Sequence, residues 1–425
     1  MPLTIADFFE QVDGLSIEDA PPELRARIDE ELADLTNGIT GPQGEPSTGP
    51  SPGDPDVVVV DKEGGGDFTS IQDAVDDPDT EPGNTILIRP GTYATGDEVE
   101  VTDPGELRLV GSGSGSDPAS NTVLEGQLKV LVEEAAGNGV TMRDLRIEGV
   151  DDDGAAIDAT AAFGGSALRE IGVENVTFVN NDFEGLDIQD PAEDLAVRDC
   201  LIENNGDNGI EGEDITNAVV SDCTIKNNDG EAIDFNAVDS LVIDGCTIRN
   251  NDDGVEFDGD AVDLTVTDST IASNDSDGVF GNNVNNGTIR NCLIEDNDTE
   301  GIDIDGGNNL TIEQCTVRNN GGNGIEFDFT DVGNLTITES VVDNSGDSGV
   351  FFDDGEVTDS TIERSNITNS GDFGVEIGSG ATVTSLSVVD SYLDGNTDGG
   401  VESGSSITTT GLRSKLVSGA GENGS

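Results

Sequence analysis

The chain has 425 residues, of which 90 are acidic and 17 basic, giving a formal net charge of −73. This charge excludes nucleic acid and anionic membranes as partners, and no stretch contains the roughly 20 apolar residues that a membrane span needs. Such a surface repels itself unless molar salt screens the charges over about 3 Å, so the composition predicts a folded protein that needs high salt.

The first segment, residues 1–38, is predicted to be helical and to serve attachment or oligomerisation. The stretch "PPELRARIDEELADLTNG" has proline at its start and glycine at its end, with one apolar stripe at Leu24, Ile28, Leu32 and Leu35. A helix this short needs a partner, so we expect it to pair with copies of itself or to dock elsewhere. The first 20 residues lack a basic region followed by an apolar run, which argues against a secretory signal.

Residues 39–56 are rich in Gly, Pro and Ser and are predicted to be a collagen-like linker. Gly38, Gly41 and Gly44 keep the triplet spacing of a collagen helix. Three triplets are too few to hold a triple helix alone. A brief three-chain segment and a plain flexible linker therefore both stay open.

Residues 57–410 contain internal repeats and are predicted to form the main domain. A short phrase recurs every 21 to 26 residues, for example "GIDI" at Gly301, "GIEF" at Gly324 and "GVFF" at Gly349. Segments between the phrases, such as "LTVTDSTI", alternate apolar and polar residues and are rich in Val, Ile and Thr, which is typical of strands. The pattern predicts an all-β, single-stranded, right-handed parallel β-helix with coils of about 21–26 residues, followed by a flexible tail at 411–425.

Two columns of stacked side chains are predicted in this solenoid. Cysteines recur in step with the repeat and are predicted to be small buried fillers rather than metal ligands: Cys200, Cys223, Cys246, Cys292 and Cys315. Asparagines recur at intervals of 23 residues and are predicted to form a ladder at a turn: Asn205, Asn228, Asn251, Asn274, Asn297 and Asn320. Their amides can bond the neighbouring coil and tolerate left-handed backbone.

Two segments near the start of the domain carry a family resemblance. "DFTSIQDAV", residues 67–75, followed by "TILIRPGTY", residues 85–93, resembles the opening of pectin methylesterases and other pectate-lyase-like β-helices. The resemblance implies a short amphipathic helix that caps the first coil, with Ile71, Ala74 and Val75 on one side. It covers roughly residues 57–410 and concerns the fold, because many functions share this scaffold.

The catalytic residues of these relatives are not recognisable in the sequence. The chain has no histidine, which polygalacturonases need, and no pectin-methylesterase segment of paired aspartates followed by an arginine. The arginine and calcium–aspartate arrangement of pectate lyases is not recognisable either, and few lysines or tyrosines are available as the base of a lyase. We therefore predict no catalytic residue and no cofactor beyond loosely bound cations.

The third residue of the recurring phrase is acidic in most coils, and these residues are predicted to form a row on one outer face: Asp187, Glu211, Asp234, Glu256, Asp303, Glu326, Glu376 and Glu402. Three interpretations stay open: a solvated surface, a loose cation site, or a carboxylate pair that hydrolyses a glycoside. The candidates for the cation site are Asp187, Glu211, Glu256, Asp303 and Glu326.

Phe280 and Phe351 occupy the acidic position in two coils and are the candidate binding residues. Exposed aromatic side chains on such a surface would mark a contact with a neighbouring subunit or a receptor. Alternatively, a local register shift buries them.

The order of helix, collagen-like segment, linker and β-helix resembles viral tail fibres, tailspikes and other virion appendages, and the acidity resembles that of proteins from extreme halophiles. These resemblances imply a non-enzymatic structural protein on the virion surface of a haloarchaeal virus, as a spike, tail fibre or capsid turret that attaches to the host. A homotrimer is the first expectation, with other virion proteins bound through residues 1–56 and a host surface glycan or S-layer as receptor. Two alternatives stay open: a polysaccharide-active hydrolase or lyase, and an extracellular cell-surface or adhesion protein of a halophilic archaeon.

Overall fold

A computed structural model describes residues 56–102, 107–131, 139–150, 153–158, 168–189, 191–328, 331–402 and 407–414. These residues form an all-β parallel solenoid, as predicted, and it has about 13 turns. The predicted N-terminal helix, nearly all of the collagen-like linker and most of the predicted tail lie outside the described residues. The last described strand ends at Ser414, a few residues beyond the predicted domain boundary.

Each complete turn contributes strands to three parallel sheets, and the chain visits them in a fixed order. The first sheet contains β1 (Val57–Val60), β2 (Thr85–Ile88), β4 (Arg108–Val110), β6 (Thr141–Glu148), β8 (Leu168–Val179), β10 (Ala192–Arg198), β13 (Ile215–Ser221), β16 (Val238–Asp244), β21 (Thr288–Arg290), β24 (Gly307–Asn308), β25 (Thr311–Glu313), β28 (Val332–Gly333), β29 (Thr336–Thr338), β32 (Glu356–Thr358), β33 (Ser360–Glu363), β36 (Thr382–Val383), β37 (Leu386–Val389) and β40 (Ile407–Thr410). The second sheet contains β11 (Leu201–Glu203), β14 (Thr224–Lys226), β17 (Thr247–Arg249), β19 (Thr270–Ala272), β22 (Leu293–Glu295), β26 (Thr316–Arg318), β30 (Val341–Asp343), β34 (Asn366–Thr368), β38 (Tyr392–Asp394) and β41 (Arg413–Ser414). The third sheet contains β3 (Gly91–Thr102), β5 (Thr122–Leu131), β7 (Ala155–Asp158), β9 (Leu186–Ile188), β12 (Ile210–Gly212), β15 (Ile233–Phe235), β18 (Val255–Thr267), β20 (Val279–Asn285), β23 (Ile302–Ile304), β27 (Ile325–Phe327), β31 (Val350–Phe352), β35 (Phe373–Ile377) and β39 (Gly399–Val401).

Several long strands bend from one sheet into the next. β6 and β8 continue from the first sheet into the second, β3 and β5 from the second into the third, and β18 and β20 from the third into the first. Between the first and second sheets and between the second and third, the chain passes through residues in left-handed backbone, and in one coil these are Asp222 and Asn227, with φ of 53° and 55°. Asn and Asp tolerate this conformation better than other non-glycine residues. The repeat therefore reads as strands separated by Asn and Asp.

The core is a continuous stack of apolar side chains inside the coils. Phe235 and Phe257 are fully buried below the third sheet, as the inward register predicted. Further along, the rings of Phe327 and Phe352 stack with centroids 5.1 Å apart. Burying such a ring stabilises the fold by about 2–3 kcal/mol relative to exposing it. Each coil alone is too small to bury these rings, so the coils stabilise one another.

The predicted asparagine ladder is confirmed at the turn between the second and third sheets. Asn228 Nδ2 donates to Oδ1 of Asn251 at 2.9 Å, and the backbone nitrogen of Asn228 donates to the same oxygen at 3.1 Å. The ladder also extends one coil further than predicted, to Asn181. The left-handed residue is the one before each ladder position, such as Asn250 with φ of 55°, rather than the ladder asparagine itself.

The predicted cysteine column is confirmed as a buried column of free thiols. Each Sγ lies near a backbone carbonyl, for example 3.2 Å from the carbonyl oxygen of Ser221 at Cys223. Ser269 takes the same place in one coil, and its hydroxyl accepts a hydrogen bond from the nitrogen of Cys246 at 3.1 Å. The column is part of the architecture.

Helix α1 (Ile71–Val75) caps the first coil, as the resemblance implied. Ser70 is its N-cap and accepts a hydrogen bond from the nitrogen of Asp73. Ile71 and Ala74 are buried against the first strands. In the described part of the chain, no helix has the length and apolar character needed to cross a membrane.

Candidate functional site

The predicted row of acidic residues lies along the outside of the third sheet. Residues at the same position in successive coils are register partners, beginning with Asp187, Glu211 and Asp234. We call this row the acidic column and define it as Asp187, Glu211, Asp234, Glu256, Phe280, Asp303, Glu326, Phe351 and Glu376. The residues on either side of each column position point into the core, so these side chains face outward. Adjacent positions are about 4.8 Å apart along the axis.

A second polar row runs beside the acidic column, three residues earlier in each coil. Its side chains accept hydrogen bonds from backbone nitrogens of the next coil: Asn208 from Glu231 at 2.8 Å, Asp277 from Glu300 at 2.8 Å, Asn323 from Ser348 at 2.8 Å and Ser348 from Phe373 at 3.1 Å. Buried backbone N–H groups need such partners. The role of these four side chains is therefore structural, and the acidic column remains the first candidate for chemistry.

Partial burial keeps protons on the column carboxyls. It is the largest cause that raises the pKa of Glu211, Glu256 and Asp303 to about 8 each, and repulsion by neighbouring carboxylates adds to it. The pKa of Asp234 is raised to about 7 by the same causes. Several of these groups are therefore protonated near neutral pH and can donate a proton, which ordinary surface carboxylates cannot.

A cleft of about 380 Å³ lies at the N-terminal end of the acidic column. It is lined by Phe183, Gln189 and the carboxyl groups of Asp153, Glu184, Asp187, Glu211 and Glu213. The Phe183 ring is 50% exposed, and no other phenylalanine in the described residues is as open to solvent. An aromatic face next to hydrogen-bonding carboxyl groups is the lining expected of a site for a sugar ring.

The two column carboxyls in this cleft have different surroundings. Asp187 is 7% exposed, and its Oδ2 accepts a hydrogen bond from Gln189 Nε2. Glu211 lies in the next coil, where burial and then a hydrogen bond with Glu184 raise its pKa to about 8. The cleft therefore offers a fixed carboxyl group beside a proton donor, about one coil spacing apart.

Another group of carboxyls could hold a cation further along the same face. Glu231, Asp253 and Glu256 each offer an oxygen, and the three oxygens lie within 4.8 Å of one another. Oxygen ligands at such spacing suit hard cations. Of the predicted cation candidates, Glu256 belongs to this group, while Asp187 and Glu211 lie in the cleft. Asp303 and Glu326 occupy the following part of the column.

Phe280 and Phe351 lie in the acidic column without any register shift. Phe280 pairs with Glu256 and Asp303 in the neighbouring coils, and Phe351 follows Glu326. Both side chains are half-buried. Both are therefore outward-facing members of the acidic column. The alternative, in which a local register shift buries them, is excluded by this pairing.

Sequence reasoning missed Phe183, because it lies in a turn rather than in the recurring phrase. The signal was nevertheless available: the corresponding turn residue in the next coil is Asp207, whose nitrogen bonds the carbonyl oxygen of Phe183 at 3.3 Å. A phenylalanine where other coils place polar residues or glycine departs from the repeat. Such departures indicate sites more directly than the repeat itself does.

Two solved structures are similar to this chain over most of its length. The A-module of the mannuronan C-5 epimerase AlgE6 from Azotobacter vinelandii matches with a TM-score of 0.58 and 19% identity, over 82% of this chain and 95% of that chain. The A-module of the mannuronan C-5 epimerase AlgE4 from the same organism matches with a TM-score of 0.53 and 17% identity, over 82% and 95%. No curated protein sequence matches the chain significantly. At these identities the likeness establishes the fold.

The prediction of a virion surface protein that is not an enzyme is wrong. The similar structures are enzymes that act on a polysaccharide, and this finding favours the alternative, a polysaccharide-active enzyme. The error has a physical reason: the virion interpretation depended on the order of segments before the β-helix. Helices and glycine-rich linkers precede many unrelated domains, so their order carries little chemical information.

The repeats themselves give the chain its family. The family model described as the right-handed beta helix region matches residues 130–271 and 253–411, which together make up more than half of the chain. The matched residues contain the asparagine ladder, the cysteine column and the acidic column. The chain belongs to the right-handed β-helix family.

Proposed function

We propose that this protein is an enzyme that hydrolyses a polysaccharide, with its active centre in the cleft around Phe183. The observation that carries the proposal is the pairing of Glu211, whose pKa is raised to about 8, with Asp187 in the adjacent coil, beside an exposed aromatic ring. Glycoside hydrolysis needs two carboxyl groups with these two roles.

In the proposed reaction, Glu211 acts as the acid and Asp187 as the nucleophile. Asp187 attacks the anomeric carbon while Glu211 transfers its proton to the glycosidic oxygen, so the C–O bond breaks and the shortened chain leaves. A water molecule then attacks the glycosyl–Asp187 ester and gives a proton to Glu211, which restores both groups. The spacing of one coil, about 4.8 Å, is close to the separation of about 5 Å used by retaining enzymes, so the product should retain its anomeric configuration.

The substrate that we propose is a neutral polysaccharide. The chain carries a formal net charge of −73, to which the carboxyl groups of the acidic column contribute. The net charge of the whole chain repels a polyuronate, whereas neutral hydroxyl groups can both donate to and accept from the protonated carboxyls of the column. We also propose that the enzyme works outside the cell, in concentrated salt that screens its surface charge.

The test is release of reducing ends from a panel of neutral and uronate polysaccharides by the full chain in multimolar salt. We expect activity on a neutral polymer, and loss of about 10²–10⁴-fold in kcat for Glu211→Gln and for Asp187→Asn. Glu313→Gln is the control, because it removes a carboxylate from the first sheet and leaves the cleft intact. Full activity of both cleft variants would disprove the assignment, and inverted products would exclude the nucleophilic role of Asp187.

A further inference from the structure

Two phenylalanines interrupt the acidic column at a distance from the cleft. Counting register partners from Asp187, Phe280 lies four coils away and Phe351 seven coils away. These separations correspond to about 19 Å and about 34 Å along the axis. The proposed hydrolysis uses neither residue.

The surroundings of Phe280 are those of a binding platform. Its chain neighbours Val279 and Gly281 are buried, whereas Phe280 itself is half-buried on the outer face. Glu256 and Asp303 flank the ring in the adjacent coils, at the same position of the strand. The two acidic residues therefore lie on either side of Phe280 along the axis.

Phe351 has the same arrangement further along the column. Glu326 precedes it and Glu376 follows it, again as register partners. Ser348, which lies in the coil of Phe351, donates a hydrogen bond to Glu376 in the next coil. The carboxyl beside the ring is therefore held in place.

Aromatic rings between hydrogen-bonding groups match the chemistry of a sugar. The C–H face of a pyranose packs on the ring, and its equatorial hydroxyl groups point sideways towards donors and acceptors. The flanking carboxyls of Glu256 and Asp303 supply hydrogen-bonding oxygens beside the ring for these hydroxyl groups.

We propose that Phe280 and Phe351 are distal sugar-binding platforms that hold a long, unbranched glycan along the acidic column. The inference rests on the proposed function, because it assigns the substrate of the same face: a linear polymer long enough to extend at least four coils beyond the cleft. The enzyme then prefers long chains to short oligosaccharides, and the preference comes from binding rather than from the chemical step.

The test compares a long neutral polymer with a short oligosaccharide that fills only the cleft. For Phe280→Ala and Phe351→Ala we expect KM for the polymer to rise about tenfold, with kcat and the short-substrate kinetics unchanged. Phe280→Tyr keeps the ring and should restore polymer binding. Tyr392→Ala is the control, because it removes a 40% exposed aromatic ring from the second sheet. Unchanged melting temperatures exclude misfolding as the cause.

Binding measured without catalysis separates this inference from the proposed function. Retardation of the protein in gels containing the polymer should be weakened by both alanine variants and not by Tyr392→Ala. If the protein hydrolyses polysaccharide but the alanine variants bind and cleave the polymer like the wild type, the platforms are disproved and the hydrolase stands. If no hydrolysis is found but the retardation depends on Phe280 and Phe351, the platforms stand and the hydrolase is disproved. No retardation of the wild type by any neutral polymer would overturn the platforms.

Discussion

At the scale of single residues, the structure assigns different tasks to neighbouring polar side chains. Asn250 and Asn251 follow one another, yet Asn250 is exposed in left-handed backbone and Asn251 is buried in the ladder. Glu211 and Asp187 belong to one column, yet protonated Glu211 donates a hydrogen bond to Glu184, whereas Asp187 accepts one from Gln189. Residue type alone does not separate these tasks, whereas burial and partners do.

The protonated state of Glu211 gives a prediction about activity. The pKa of this carboxyl is raised to about 8, mainly by burial, and only the protonated form can act as the acid. Activity should therefore fall as pH rises through about 8, well above the range for an ordinary glutamate. The measurement is kcat/KM against pH. A decline already complete at pH 6 would contradict the role assigned to Glu211.

The two adjacent asparagines give a matched pair of stability variants. Asn251→Ala leaves the side-chain and backbone donors of Asn228 unpaired in a buried site, and should cost about 2–4 kcal/mol of unfolding free energy. Asn250→Gly should change it by less than about 1 kcal/mol, because glycine accepts the left-handed φ at this position. Denaturant titration in constant salt measures both. Equal effects would mean that the ladder contributes nothing beyond its backbone turn.

At the scale of elements, the third sheet carries the acidic column, whose carboxyl groups repel one another when they are ionised. The other contacts of the sheet must offset this repulsion. Its core side is a stack of apolar side chains, and beside it the second polar row satisfies backbone nitrogens of successive coils. The column carboxyls are held partly buried and close together. This arrangement opposes ionisation, so folding and proton binding are linked in this sheet.

The linkage predicts how stability depends on pH. For Glu211, Glu256 and Asp303 the folded-state pKa of about 8 exceeds the unfolded value, so above about pH 4.5 the unfolded chain loses its protons first. The free energy of unfolding should therefore fall as pH rises from about 4.5 to about 8, and level off above that.

A single substitution in the column tests the origin of this fall. Glu256→Gln cannot ionise, so it should flatten the pH dependence and raise the melting temperature at pH 9 relative to the wild type. Glu313→Gln, on the first sheet, is the matched control and should leave the slope unchanged. A wild-type melting temperature that rises between pH 5 and pH 8 would contradict the explanation.

At the scale of the whole molecule, we expect net charge to influence stability more than any single contact does. The charge of −73 is that of the whole chain, and among the described residues the ion pairs are few, such as Lys226 with Glu203 at 2.7 Å and Arg318 with Glu295 at 2.6 Å. Exposed pairs of this kind contribute about 0–1 kcal/mol each. They cannot offset the repulsion among the remaining carboxylates.

We therefore expect stability to depend on salt. The melting temperature should rise steeply between low-salt buffer and multimolar KCl, because the screening length falls to about 3 Å at 1 M. Sucrose at matched water activity is the control, since it is excluded from the surface without screening charge. A melting temperature that does not respond to KCl, or that sucrose raises equally, would remove electrostatic screening as the reason.

The fold could be predicted from sequence because every coil repeats the same local sequence pattern. The period of 21 to 26 residues, the strand-like alternation and the Asn- and Asp-rich turns each lead to the same solenoid. Stacking then places equivalent residues of successive coils above one another. The cysteine, asparagine and acidic columns could therefore be predicted from the spacing of the repeats alone. The inward register of Phe235 and Phe257 followed in the same way.

The site depended on tertiary structure, because its features are departures from the repeat. Phe183 becomes a cleft wall only when its turn lies beside Asp187 and Glu211, which are held in place by the coils around them. The pKa of Glu211 likewise depends on burial and on Glu184, 27 positions away in the chain. The sequence by itself determined the solenoid, its columns and its charge, since these need only local pattern and periodicity. Which carboxyls keep their protons and which rings stay exposed was decided by packing between coils, because burial is a property of neighbours that are distant in sequence.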